Sequence, residues 1–246
     1  MWRTTGVSVA LPSKSVCQDA HRHCLLDPDT LFIAVADGAG TAPRADVGAN
    51  LASQIAVETA LAHTCSHGVP EREDERLALV MSALNAAIDA LHTLAFKKHV
   101  PVDHYAATFI LAMVTREQVV AVQIGDGMLF LEDGNGEIVR MTVPQRGEYA
   151  NETHMLTSFN AADKAQVIVW NGVIKGAAAM TDGLLPITTV LPFYKPYAPF
   201  FTNLFEFLRK TGDPAEAEAK LQRFLLSEKV QDGTGDDLTL VIAVPA

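Results

Sequence analysis

The chain has 246 residues, 49% of them hydrophobic and 20% charged, which fits one sizeable domain with a filled core better than two small ones. Its 29 acidic and 19 basic side chains give a formal net charge of -10, with no dense run of lysine and arginine; such a surface repels nucleic acid and anionic lipid. Three cysteines, Cys17, Cys24 and Cys65, without a C-x-x-C pair, argue against a disulfide scaffold or a thiolate zinc site and for a reducing cytoplasm. The N-terminal residues lack the basic start, apolar stretch and cleavage site of an export signal, and no run of about 18 apolar residues appears, so no membrane partner is expected.

In chain order, Thr4 to Ala10 predicts a strand. A polar loop with Pro12, Ser13 and Lys14 follows, then CQDAHRHCLLD leads into the apolar run from Leu31 to Ala36. From Asp46 to His63 the residues Val47, Leu51, Ile55 and Ala62 recur at helical spacing, as do Leu77, Met81, Leu84, Ile88, Leu91 and Ala95 between Glu73 and Phe96. Two amphipathic helices in succession are predicted. Strand-like runs come next at Ala106 to Val114, Gln118 to Ile124, Met128 to Leu131 and Ile138 to Thr142, the last two joined by the hairpin signal Asp133-Gly134-Asn135-Gly136. Further strands are expected at Ala165 to Trp170 and Gly176 to Thr181, a helix at Pro214 to Leu226 and a final strand at Leu238 to Val244. This order is α+β, without regular β-α-β alternation.

Four apolar runs meet an aspartate beside glycine: LFIAVADGAG at Asp37, AVQIGDGMLF at Asp126, AAAMTDGLLP at Asp182 and GTGDDLTLVIAV at Asp236 and Asp237. One such pair reads as a turn. Four suggest strands delivering carboxylates to a single cleft, and carboxylates about 4 Å apart repel by several kcal/mol at an effective dielectric of about 20, so the cleft requires cations. Oxygen-only donors suit Mg²⁺ or Mn²⁺.

The chain resembles the metal-dependent protein phosphatases of type 2C, in particular their compact bacterial branch. The matching elements, in order, are CQDA at Cys17, VADGAG at Val35, AATFILAMV at Ala106, QIGDGMLFL at Gln123, GEYANET at Gly147, MTDGL at Met180 and GTGDDLTLVIA at Gly233. The resemblance implies a single domain over 1–246 with a four-layer α-β-β-α sandwich of two antiparallel sheets, and a flap or insert at about 186–212. It implies that Asp37 bridges two metal ions, that the carbonyl of Gly38 binds one, and that Asp182 and Asp236 hold the other. Asp126 stands where many bacterial members place a ligand for a third, weaker ion. Asp19 would orient the attacking water as a catalytic group alongside Asp37.

By the same resemblance the activity is hydrolysis of phosphoserine and phosphothreonine in proteins, by direct attack of a water activated by two metals, in a cytoplasmic monomer. A catalytically weak binding or regulatory module on the same fold is the alternative. Lys14 replaces an arginine that the family often uses on the substrate phosphate; it keeps the charge and loses the two-pronged contact. Ala39 stands where eukaryotic relatives carry a histidine, so water, His21 or His104 would protonate the leaving group. His21 and His23 otherwise read as solvated residues, Thr181 as a packing or hydrogen-bonding neighbour of Asp182, and Asp237 as a flanking hydrogen-bonding residue. Asp46, Asp133 and Asp232 read as helix-start or turn acids. The aromatic segment from Phe193 to Phe207 reads as a recognition flap or, preferably, as a helical insert packing its rings on the body.

Overall fold

Most strands in this chain are apolar on both faces, a pattern that an antiparallel sheet adopts when neither side meets water. The computed structural model describes residues 1–145 and 153–246. In chain order the elements are β1 (Trp2–Val9), β2 (Ala20–Asp27), β3 (Thr30–Ala36), α1 (Ala45–His67), α2 (Glu73–Lys98), β4 (Phe109–Val114), β5 (Gln118–Ile124), β6 (Met128–Asp133) and β7 (Ile138–Arg140). There follow β8 (Gln166–Asn171), β9 (Ile174–Met180), α3 (Leu185–Thr188), β10 (Thr189–Val190), β11 (Lys195–Pro196), α4 (Ala198–Lys210), α5 (Pro214–Leu225), α6 (Glu228–Gln231) and β12 (Leu238–Pro245).

One five-stranded sheet runs β1-β12-β9-β6-β7 and the other β2-β3-β4-β5-β8, with every neighbouring pair antiparallel. Alternation along β3 explains the layers. Leu31, Ile33 and Val35 point between the sheets, where they join Leu129, Leu131, Ala177, Ala179 and Val241, while Phe32, Ala34 and Ala36 point outward to α1 and α2. In the other sheet Met128, Phe130, Met180 and Leu240 face α4 and α5. The result is the expected four-layer α-β-β-α sandwich.

The two long helices end as their charges favour: Glu73, Asp74 and Glu75 occupy the first turn of α2 and Lys97 and Lys98 its last. By length and composition α2 would also suit a bilayer, but Leu79, Val80, Leu84 and Leu91 are buried in the core cluster shared with α1 and the second sheet. At the β6–β7 hairpin the Asp133 carboxylate accepts from the backbone N–H groups of Asn135 (2.8 Å) and Glu137 (2.9 Å), closing the turn as expected. The strand expected at Ile138 to Thr142 stops at Arg140, because Thr142 turns its hydroxyl to the Leu129 N–H instead (2.9 Å).

The segment expected as a flap or insert, at about 186–212, follows β9. Phe201 and Phe205 are buried, and Phe201 lies 4.5 Å from the Phe130 ring centroid to centroid, so α4 packs aromatic rings on the first sheet, in line with the preferred of the two expectations for this segment. Phe193 and Tyr197, just before it, remain exposed.

Candidate metal centre

Antiparallel pairing sets which strand ends lie together. The registers Ala20↔Ala36, Phe109↔Ile124, Met128↔Met180 and Leu240↔Met180 place the C-terminal ends of β3, β5 and β9 beside the N-terminal ends of β2, β4, β6 and β12. Asp37, Asp126 and Asp182 follow the first three, and Asp19 and Asp236 precede β2 and β12. All five acids therefore leave one end of the sandwich.

Local backbone contacts hold the first of them. The Asp37 carbonyl accepts from the Thr108 N–H (2.8 Å), Gly38 bridges to Ala107, and the Ala39 N–H donates to the Ala106 carbonyl (2.9 Å). Regular β4 begins at Phe109, but these bonds carry its register with β3 onward, from Val35↔Ile110 to Gly38↔Ala107, so the antiparallel pairing reaches back to Ala106, where the sequence predicts the strand to start. A Cβ on Gly38 would stand 2.6 Å from the Gln18 carbonyl, so this close approach needs glycine. At Gly125 a φ of 108° and a Thr108 Cβ at 2.4 Å from any added Cβ impose the same requirement. That bend aims the next residue, Asp126.

Asp37, Asp126 and Asp182 each offer a carboxylate oxygen, and the three oxygens lie within 4.8 Å of one another. Burial and then the charges of Asp19, Asp182, Asp236 and Asp126 push the Asp37 carboxyl well above the ordinary range. Burial, reinforced by Asp126 and Asp236, raises Asp182 to about 6. Asp126 is raised by burial, opposed by the Thr153 hydroxyl, which donates to it at 3.0 Å. One oxygen of Asp182, Oδ1, is buried with no hydrogen-bond partner among the described residues. A buried carboxylate oxygen left bare beside two more carboxylates is a costly arrangement that a hard dication would relieve. The donor set thus fits Mg²⁺ or Mn²⁺.

Asp19 stands behind this group, only 4% exposed. Burial raises it to about 7 even though the Thr181 hydroxyl donates to its Oδ2 at 2.7 Å. Thr181 in turn accepts from the Thr239 N–H (3.0 Å), tying Asp19 to β12.

Asp236 has a different partner. Its Oδ1 takes the Lys14 ammonium at 2.5 Å, and Lys14 also reaches Asp237 Oδ2 at 3.2 Å. Burial alone would lower Lys14, but these two carboxylates outweigh it and hold its pKa above the ordinary value. The structure therefore places Asp236 against Lys14, while the tight oxygen triangle is made by Asp37, Asp126 and Asp182. Asp237, expected as a flanking hydrogen-bonding residue, is 1% exposed and accepts from the backbone N–H groups of Leu11 (2.8 Å) and Gln18 (2.7 Å). It clamps the 11–18 loop to the start of β12.

His21 and His23 are half-buried on β2, which corrects their reading as solvated residues. His21 shares a 2.8 Å hydrogen bond with Ser8, and burial lowers its pKa to about 4. The GEYANET motif lies outside the described residues apart from Thr153. That threonine and Thr181 are the site residues whose bonding partners are not legible in the sequence. Both sit beside a motif aspartate or its loop, but a threonine next to DG is too common to single out.

A family model described as Protein phosphatase 2C matches residues 9–226. The chain is 29% identical over 243 residues to serine/threonine-protein phosphatase 3 of Escherichia coli (strain K12), covering 98% of this chain and 94% of that protein. Among solved structures it resembles the serine/threonine phosphatase Stp1 from Staphylococcus aureus (TM-score 0.68, 13% identity, 99% of this chain and 95% of that one). It also resembles the catalytic domain of serine threonine protein phosphatase PstP, solved with two manganese ions (TM-score 0.64, 18% identity, 99% and 97%). Fold, acidic centre and family match agree, and the chain belongs to the protein phosphatase 2C family.

Proposed function

We propose that this protein phosphatase hydrolyses phosphoserine and phosphothreonine in proteins with Mg²⁺ or Mn²⁺, two ions and a third at Asp126. The observation that carries the proposal is the triangle of Asp37, Asp126 and Asp182 oxygens with its bare Asp182 Oδ1. Divalent ions would be held by these carboxylates, the Gly38 carbonyl and Asp236, and would supply charge neutralisation and an activated water for in-line attack. The chain's own groups do the rest. Asp19, held by the Thr181 hydroxyl, would orient the water and take up its proton, and Lys14 would offer a positive charge to the substrate phosphate. Neither Cys17 nor Cys24 suits a covalent route, since burial pushes their thiols up to about 12 and about 11. Free cysteines support a cytoplasmic setting for the enzyme.

The test is Mn²⁺-dependent phosphate release from a phosphothreonine peptide by the purified protein and by Asp37→Asn. The variant is expected to lose at least about 100-fold in kcat, a typical scale for removing a group that stabilises the transition state. Unchanged turnover refutes the assignment of Asp37. A second reading, a weak binding module, draws on Lys14 being engaged by Asp236 and Asp237; two tightly held ions with no turnover on any phosphopeptide would favour it.

A further inference from the structure

Beyond the acidic oxygen triangle, helices α3, α4, α5 and α6 line an open cavity of about 540 Å³ whose wall at Ile187 and Val230 adjoins Gly233. Its size falls in the range of small-ligand sites, and its lining has the usual composition, apolar and aromatic surface with few polar groups. Leu204 and Val230 form part of its lining, and Phe200 and Phe224, with ring centroids 6.0 Å apart, contribute aromatic surface. Two lysines, Lys220 and Lys229, also line it. Lys220 is paired with Glu216 at 2.7 Å, whereas Lys229 has no ion-pair partner among the described residues. An unpaired ammonium at the edge of an apolar cavity is complementary to a molecule with one anionic head and an apolar tail, and it gives that head a local attraction in a chain whose net charge of -10 otherwise repels anions. We propose that this cavity binds a small amphipathic anion, an alkyl or aryl chain carrying a carboxylate or sulfonate. The aromatic surface takes the chain and Lys229 takes the head.

Decanesulfonate, kept below its micellar concentration, is the probe, with decyltrimethylammonium as the matched cation. Calorimetry on the full-length protein should show saturable one-to-one binding of the anion, at least ten-fold tighter than the cation. Because each buried methylene contributes up to about four-fold in affinity, octanesulfonate should bind up to about 15-fold more weakly. Asn203→Trp, made at an exposed position on the cavity wall, should abolish binding without loss of helical circular dichroism. Lys229→Glu should weaken it at least ten-fold. Equal affinity for both head groups, or full binding by the Asn203→Trp protein, overturns the proposal. So does a concentration-dependent dimer in sedimentation that the probe fails to dissociate, since the cavity would then be the seat of a second copy.

Discussion

Asp237 offers the sharpest test of how the 11–18 loop is held. Its carboxylate is buried and accepts from two backbone N–H groups, Leu11 at 2.8 Å and Gln18 at 2.7 Å, while pairing with Lys14 at 3.2 Å. Asp237→Ala removes two charge-assisted hydrogen bonds worth about 1.5 to 3 kcal/mol each and leaves their partly buried donors unsatisfied. The freed loop recovers part of this through water and chain entropy, so about 3 kcal/mol of net destabilisation is expected. Urea unfolding of the metal-free proteins measures it. Asp237→Asn keeps one acceptor but turns an amide N–H toward a donor, and should cost about half as much. A local readout separates loop release from general damage: Cys17 lies in this loop, and its thiol is held unreactive by burial and by the Asp19 charge. In native protein a thiol reagent should react rapidly with exposed Cys65, and in Asp237→Ala with Cys17 as well. A cost under about 1 kcal/mol with unchanged Cys17 reactivity would refute the clamp.

Three other outcomes follow from the same geometry. Asp182→Asn should stabilise the metal-free protein at pH 8 by about 1 to 3 kcal/mol, because ionising the buried carboxyl there costs about 1.4 kcal/mol for each tenfold gain in its proton affinity; urea midpoints with chelator decide it, and a loss of stability would contradict the reading. Asp19 and Asp182 are raised to about 7 and about 6, so the folded protein binds protons more tightly than the unfolded chain; their contribution to metal-free stability is greatest near pH 4 and falls as pH rises toward 7. The melting-temperature gain from Mn²⁺ should accordingly grow between pH 5 and pH 8, since the ligands must lose protons to bind, and a gain that shrinks with pH would reverse the sign. Phe201→Ala, removing a fully buried ring packed on Phe130, should cost about 3 to 5 kcal/mol in chemical unfolding.

Much of the fold is legible in the residues because both kinds of periodicity are strong. Apolar spacing locates α1 and α2 to within a few residues, and the Asp133 to Gly136 signal marks the only tight hairpin turn that the sequence names. What escapes sequence reading is set by partners distant in the chain. No local signal tells that the β3–β4 pairing runs past the regular strand ends as far as Gly38 and Ala107, or where within the expected helical insert α4 begins among Pro192, Pro196 and Pro199. The prolines sit before it or in its first turn, where a missing N–H costs nothing. Its buried face, Phe201, Leu204, Phe205 and Leu208, has the helical spacing that an excess of other aromatics obscures.

The acids divide along the same line. A carboxylate after an apolar run and before glycine is visible one motif at a time, and the structure does collect Asp37, Asp126 and Asp182. The partner of Asp236 is not visible, because Lys14 lies 222 residues away and reaches it only once the 11–18 loop is clamped by Asp237. The consequence is electrostatic. One ammonium neutralises Asp236 and leaves the three clustered carboxylates, with Asp19 behind them, as the uncompensated charge of the cleft. A cation recruited to that charge binds without competition from Lys14, whereas one that also takes Asp236 must displace an ammonium already in place. The two kinds of position should therefore differ in affinity, with the tighter ion at the triangle, the reverse of the weaker ion that the resemblance implies for Asp126, and the weaker one on the side of Asp236.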